Sequence, residues 1–142
     1  GFALAKVTTE QFAIIKDNFK NGAEIKLQIN FRFAADNNQK VVAVFNSFIF
    51  ETEGKQFLLI EAGCHFAISP ESWEEMYDKD RDKLIVTKGF LQHMGLLTVG
   101  TCRGILHAKT ENTNFNLFHI PTINVTELIK KDSVFEFNKK PT

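Results

Sequence analysis

Long apolar runs, charge of one sign and cysteine are all scarce in these 142 residues, and each scarcity removes a class of protein. No stretch approaches the roughly 20 consecutive apolar residues of a membrane-crossing helix, so no direct membrane insertion is expected. Seventeen Lys and Arg cancel seventeen Asp and Glu, for a formal net charge of zero. A nucleic-acid carrier normally shows a basic stripe, so no nucleic-acid partner is expected either. Two cysteines, Cys64 and Cys102, cannot build a disulfide scaffold; both lie in apolar contexts (AGCHF and VGTCRG) and read as free thiols. No signal-peptide pattern opens the sequence, so the expected location is the cytoplasm. The NVT triplet at 124–126 then reads as the start of a short helix rather than a glycosylation site.

Signatures of catalysis are missing as well. There is no glycine-rich phosphate loop, no HExxH and no GxSxG. Cys64 and His65 are adjacent in a strand-like segment, which points their side chains to opposite faces. His93 and His107 are separated by about 21 Å of helical rise and cannot share a metal. Glu74 and Glu75 are neighbours on a short helix, whereas paired-carboxylate chemistry needs two acids facing each other across a pocket. Arg103 and His107 are i, i+4 neighbours, which suits the polar edge of a packed helix. No catalytic residue, metal site or cofactor is expected, which leaves binding.

Phenylalanine, by contrast, is abundant: 15 residues, against one Trp and one Tyr. EIKLQINFRF, residues 24–33, alternates polar and apolar without a fault, the pattern of a sheet with one wet and one buried face. Residues 2–16 suggest another extended segment, interrupted near Thr8–Gln11. VVAVFNSFIF (41–50) and QFLLIEAGCHFAI (56–68) read as further strands, apolar on both faces over much of their length. Asn21-Gly22, AADNNQK (34–40) and ETEGK (51–55) supply the turns, and the short links predict an antiparallel meander of sequence neighbours.

Ser69 and Pro70 open a short helix within 69–78, followed by a solvated link, KDRDK (79–83). Residues 88–109 form the long candidate helix, capped by Thr87. Its expected stripe is Leu91, Met94, Thr98, Thr101, Ile105 and Ala108, with Phe90, Leu97 and Leu106 spreading beyond it. Apolar coverage that wide implies packing on two sides, and Gly100 and Gly104 would let another backbone approach, at a subunit interface. FNLFHIPTIN (115–124) reads as extended, VTELIKK as one or two helical turns, and 132–142 as a loose tail. The reading is one α+β domain over 1–142: a four-stranded antiparallel sheet, a long packed helix, an extended return and a short C-terminal helix.

That order of elements resembles the bacterial protein-export chaperone SecB family. The closest signal is CRGILHAKTENTNFNLFHIPTINVTELI, 102–129. It is similar to the family's pattern of a helix reaching Arg-Gly, an aromatic, and an apolar return, with Arg103, Gly104, Phe115, Asn116, Leu117, Pro121 and Asn124 in those places. FLLIEAGCHFAI, 57–68, resembles the family's strand ending in an apolar-acid-apolar step, with Glu61 as the acid. The SPESWEEMYDKDRDK segment departs from the family, as does the second helix, which here stops early.

The resemblance implies a SecB-like holding chaperone. It would be a homotetramer, a dimer of dimers, that keeps unfolded or precursor polypeptides in apolar grooves and passes them to the translocase motor ATPase without a cofactor. Strand pattern offers Phe45, Phe57 and Leu59 as groove residues, and the sheet–helix junction offers Phe66, Phe90 and Met94. Glu61 is the candidate motor contact. Alternatives are a chaperone for one client such as an antitoxin, a purely structural oligomer, and a small-ligand or acyl-thioester domain whose sheet wraps a helix.

Overall fold

The computed structural model describes residues 1–138. Its larger sheet consists of β1 (Phe2–Ile14), β2 (Ile25–Asp36), β3 (Val41–Thr52) and β4 (Lys55–Ile68), all antiparallel. Strict alternation makes β2 amphipathic: Leu27, Ile29, Phe31 and Phe33 are half-buried, while Lys26, Gln28, Asn30 and Arg32 are exposed. The β3–β4 link sets Glu53 and Gly54 at φ of 50° and 77°, the paired positive values of a type I′ hairpin turn, where glycine avoids the Cβ penalty.

β2, β3 and β4 form the expected meander, but β1 pairs with β4, so the order is β1-β4-β3-β2. The link of residues 15–24 explains this departure, because it crosses the end of the sheet. Ile15 N–H donates to the Phe57 carbonyl (2.8 Å), Asn18 Nδ2 to the Gln56 carbonyl (2.7 Å) and Lys20 N–H to Thr52 Oγ1 (3.0 Å). β3 and β4 therefore lie in the middle of the sheet, which accounts for apolar residues on both of their faces. β1 shifts register between Leu4 and Lys6 and again between Thr9 and Gln11, the second at the expected interruption.

Ser69 caps α1 (Pro70–Met76), its hydroxyl accepting from Ser72 N–H. Thr87 does the same for Phe90 N–H at the start of α2 (Lys88–Thr110). α2 covers one face of the sheet with Leu91, Met94, Gly95, Thr98, Val99, Cys102, Leu106 and Thr110. This stripe is rotated from the expected one: Thr101 and Ile105 lie at its margin and Ala108 is exposed. Close approach occurs at Gly95, where a Cβ would stand 2.8 Å from the Ile129 side chain. Around Gly100 and Gly104 no atom beyond the adjoining residues and the helix's own backbone lies within 4 Å of such a Cβ.

A second, three-stranded sheet was not legible in the pattern. The first four residues of KDRDK, 79–82, are the turn of a hairpin between β5 (Tyr77–Asp78) and β6 (Lys83–Val86). β7 (Ser133–Glu136) joins β6 from far along the chain, so the segment read as a loose tail is partly a strand. It is held because Phe135 and Phe137 pack on the core and Phe137 stacks on Trp73, 6.2 Å between ring centroids. Residues 139–142 lie outside the described region. Between α2 and β7 along the chain come a 3₁₀ turn (Asn114–Leu117), in place of the start of the expected extended return, and α3 (Val125–Leu128), capped by Asn124.

The core has two lobes. One joins Phe48, Phe50, Phe57, Leu58 and Ile60 to Cys102, Leu106, Phe115 and Phe118. The other joins Val42, Val44, Cys64 and Phe66 to Trp73, Leu84, Leu91 and Met94. Buried Asn46 is a polar point in this interior: its Nδ2 donates to the Asn30 carbonyl (3.0 Å), and its own carbonyl accepts from Cys102 Sγ (3.7 Å).

Candidate functional site

Phenylalanines from three distant segments meet at the end of the sheet where residues 15–24 cross over. Phe19, on that link, lies 4.8 Å from Phe57, 5.6 Å from Phe115 and 5.7 Å from Phe118, ring centroid to centroid. Phe57 in turn stands 6.0 Å from Phe115 and 5.2 Å from Phe118. These separations suit tilted and edge-to-face aromatic contacts. The sequence places them there by two local devices. Asn21 and Gly22, the latter at φ 85°, turn the link back toward β2. Thr113 accepts from Phe115 N–H (3.1 Å) and opens the 3₁₀ turn that presents Phe115 and Phe118 to the same side.

Above this cluster is a cleft of about 810 Å³. One lip is Lys16, Phe19, Asn21, Gly22, Ala23 and Ile25; the other runs from Asn112 to Phe118. Leu117 is 67% exposed at its edge, far above what a core leucine shows. The second lip is tied to α2 by Arg103, whose Nε donates to the Ile120 carbonyl (2.9 Å) and whose guanidinium NH₂ donates to that of Pro121 (2.8 Å). From Ile25 the core-facing row of β2 leads away through Leu27, Ile29, Phe31 and Phe33, none fully buried. At its far end are smaller hollows, among them one of about 410 Å³ beside Phe33 and Leu128 and one of about 320 Å³ beside Ala35 and Val134.

The groove residues expected from pattern fall in three different places. Phe57, Phe66 and Met94 have almost no accessible surface and belong to the core. For Phe57 the reason is a register shift: Phe50 pairs with Leu58 but Glu51 with Gln56. The extra residue breaks strict alternation, so Phe57 joins the helix-facing side and underlies the cleft instead of lining an outer groove. Phe90 is half-buried beside Phe2, 5.0 Å away. Phe45 and Leu59 do lie on the outer face of the sheet, as expected.

That outer face has its own order. Cross-strand partners give the rows Thr8–Gly63–Phe45–Arg32, Gln11–Glu61–Ser47–Asn30 and Ala13–Leu59–Ile49–Gln28. The Phe45 ring lies against Gly63, and the Arg32 guanidinium sits over it at 3.9 Å, so Phe45 is buried despite its position. Arg32 also reaches Glu61, 3.6 Å away. The candidate motor contact is therefore a paired carboxylate. His65 meets Phe45 edge-on, and burial, then the Lys6 ammonium, hold its pKa below the ordinary value.

Gly100 and Gly104 lie on the outer side of α2 with Leu96 and Leu97, which are 55% and 46% exposed. Cys64 and Cys102 are buried free thiols, and burial pushes the Cys102 pKa up to about 12. Among the described residues, no three His, Cys, Asp or Glu side chains gather as metal ligands, and no helix is long and apolar enough to cross a membrane. The sequence reading passed over Phe19, Ile25 and Phe118. A usable signal exists: a Phe two residues before an Asn-Gly turn, and two Phe three residues apart ahead of a Pro. The chain matches no family model and no curated protein.

Proposed function

We propose that this chain is a holding chaperone of the SecB kind, which binds unfolded or precursor polypeptides through apolar side chains. One observation carries the reading: the open, aromatic cleft of about 810 Å³ at Phe19, Phe115 and Phe118, with Leu117 and Ile25 left uncovered at its lips. Its size is that of a site for a bulky apolar group, and its rings bury area without requiring a fixed polar partner. β2 adds a partly exposed apolar row, Ile25 to Phe33, of about 27 Å, long enough for an extended chain rather than a compact ligand.

In this reading the protein works in the cytoplasm as a homo-oligomer, a tetramer formed as a dimer of dimers. The outer side of α2 forms a contact between copies, where Leu96 and Leu97 flank glycines with open space around them. Release to the translocase motor ATPase would use the outer sheet face around Glu61. No cofactor takes part in holding.

The test is light scattering of an aggregation-prone client as it refolds. The chain should suppress scattering, and Leu117→Glu should weaken the suppression markedly while leaving circular dichroism unchanged, because Leu117 is mostly outside the core. No suppression at a several-fold excess over client would overturn the reading.

A further inference from the structure

The polar part of the cleft is as unusual as its apolar part. Of the twelve lining residues only Lys16 is charged, and three are asparagines: Asn21 on one lip, Asn112 and Asn114 on the other. All three are exposed. Neighbouring polar groups are already committed to the fold. Thr113 Oγ1 donates to the Thr110 carbonyl (2.7 Å), and Asn116 Nδ2 donates to the His107 carbonyl (3.0 Å). Asn18 Nδ2 is likewise spent on the Gln56 carbonyl. Among the described residues, the carboxamides of Asn21, Asn112 and Asn114 have no such partner.

A carboxamide carries one acceptor and two donors, the same neutral groups that a peptide unit presents. An anionic amphiphile would find a single ammonium at this rim, whereas an extended main chain would find amide partners on both lips. We propose that Asn21, Asn112 and Asn114 are specificity-determining residues that hydrogen-bond the main chain of a bound polypeptide while its apolar side chains enter the bowl. Main-chain recognition makes the site tolerant of client sequence and selective for unfolded chain, since folded proteins have already paired those groups. This inference rests on the holding reading and deepens it.

The experiment uses the full chain and fluorescence anisotropy of a labelled, Phe- and Leu-rich peptide, alongside the same peptide with alternate amides N-methylated. The variant is Asn21→Ala with Asn112→Gly and Asn114→Ala, glycine being chosen because Asn112 has φ 64°. With each lost bond contributing ~1 kcal/mol, the triple variant should bind the unmodified peptide at least about tenfold more weakly than the wild type. N-methylation should weaken wild-type binding by a similar factor and leave the variant's affinity little changed. Equal affinity of wild type and variant for the unmodified peptide overturns this inference alone. Wild type that binds neither peptide overturns the holding reading with it, and preference for a fatty acid, lost in Lys16→Ala, overturns the inference in favour of an anionic amphiphile.

Discussion

Phe45 shows how an outward aromatic can be structural. A Cβ at position 63 would lie 2.6 Å from two Phe45 ring carbons and 2.9 Å from Thr8 Oγ1, so the ring occupies the space a side chain would need. Gly63→Ala should therefore destabilise the protein by roughly 1–3 kcal/mol, as overpacking does, read from the denaturant midpoint. In the Gly63→Ala, Phe45→Ala double variant the two effects should be far from additive, because the collision is gone. Cys102 yields a pH dependence. Its thiol stays protonated in the folded protein, with pKa pushed up to about 12 from an ordinary 9.0, mainly by burial. The folded pKa exceeds the unfolded one, so above pH 9 the unfolded chain sheds a proton that the folded chain keeps. Stability is complete below the unfolded pKa and falls as pH rises toward the folded one, by up to about 1.4 kcal/mol per unit. Denaturant titrations between pH 8 and 11 should show this slope, and Cys102→Ala should remove its share of it.

At the scale of elements, Arg103 joins two parts that sequence distance separates. Its bonds to the Ile120 and Pro121 carbonyls hold the segment after Phe118 against α2, and with it one wall of the cleft. Arg103→Ala should speed amide exchange across residues 115–124 while the middle of α2 stays protected, and should weaken peptide binding. Arg103→Lys should restore only part, since a single ammonium cannot reproduce the planar fork. The elements themselves were largely legible. β2 announced itself by alternation, and α1 and α2 by Ser69-Pro70 and Thr87. What escaped depends on distance or on one-residue irregularities. β7 is four residues long and pairs with β6 some fifty residues earlier, so no local period marks it. Phe57 changed sides through a register shift that alternation cannot foresee. Phe19, Phe115 and Phe118 converge only because β1 pairs with β4 and throws the link across the sheet end. Surplus Phe is what directs attention to a groove; of the residues that pattern offers, Phe57, Phe66 and Met94 lie in the core and Phe45 and Leu59 on the outer sheet face.

For the whole molecule, the decisive surface is the outer side of α2. A helix that has already covered a sheet normally shows charge to water, yet here Leu96, Leu97, Gly100 and Gly104 are exposed with little charge among them. Zero net charge removes the repulsion that would keep copies apart. Substitutions at the glycines can separate packing within the chain from packing between chains. With no atom beyond the adjoining residues and the helix's own backbone within 4 Å of a Cβ at either position, Gly100→Ala and Gly104→Ala should each raise the helix's intrinsic stability by up to about 1 kcal/mol. A bulky Gly104→Phe should leave the fold intact but hold two helices apart, and Leu97→Glu should bury a charge in any contact there. Sedimentation velocity should then give an oligomer for the wild type and a smaller species for both disruptive variants, with unchanged circular dichroism. Identical sedimentation of all three would mean that this face does not join copies. The leucines and glycines would then be free surface, and the apolar area offered to clients would extend beyond the cleft.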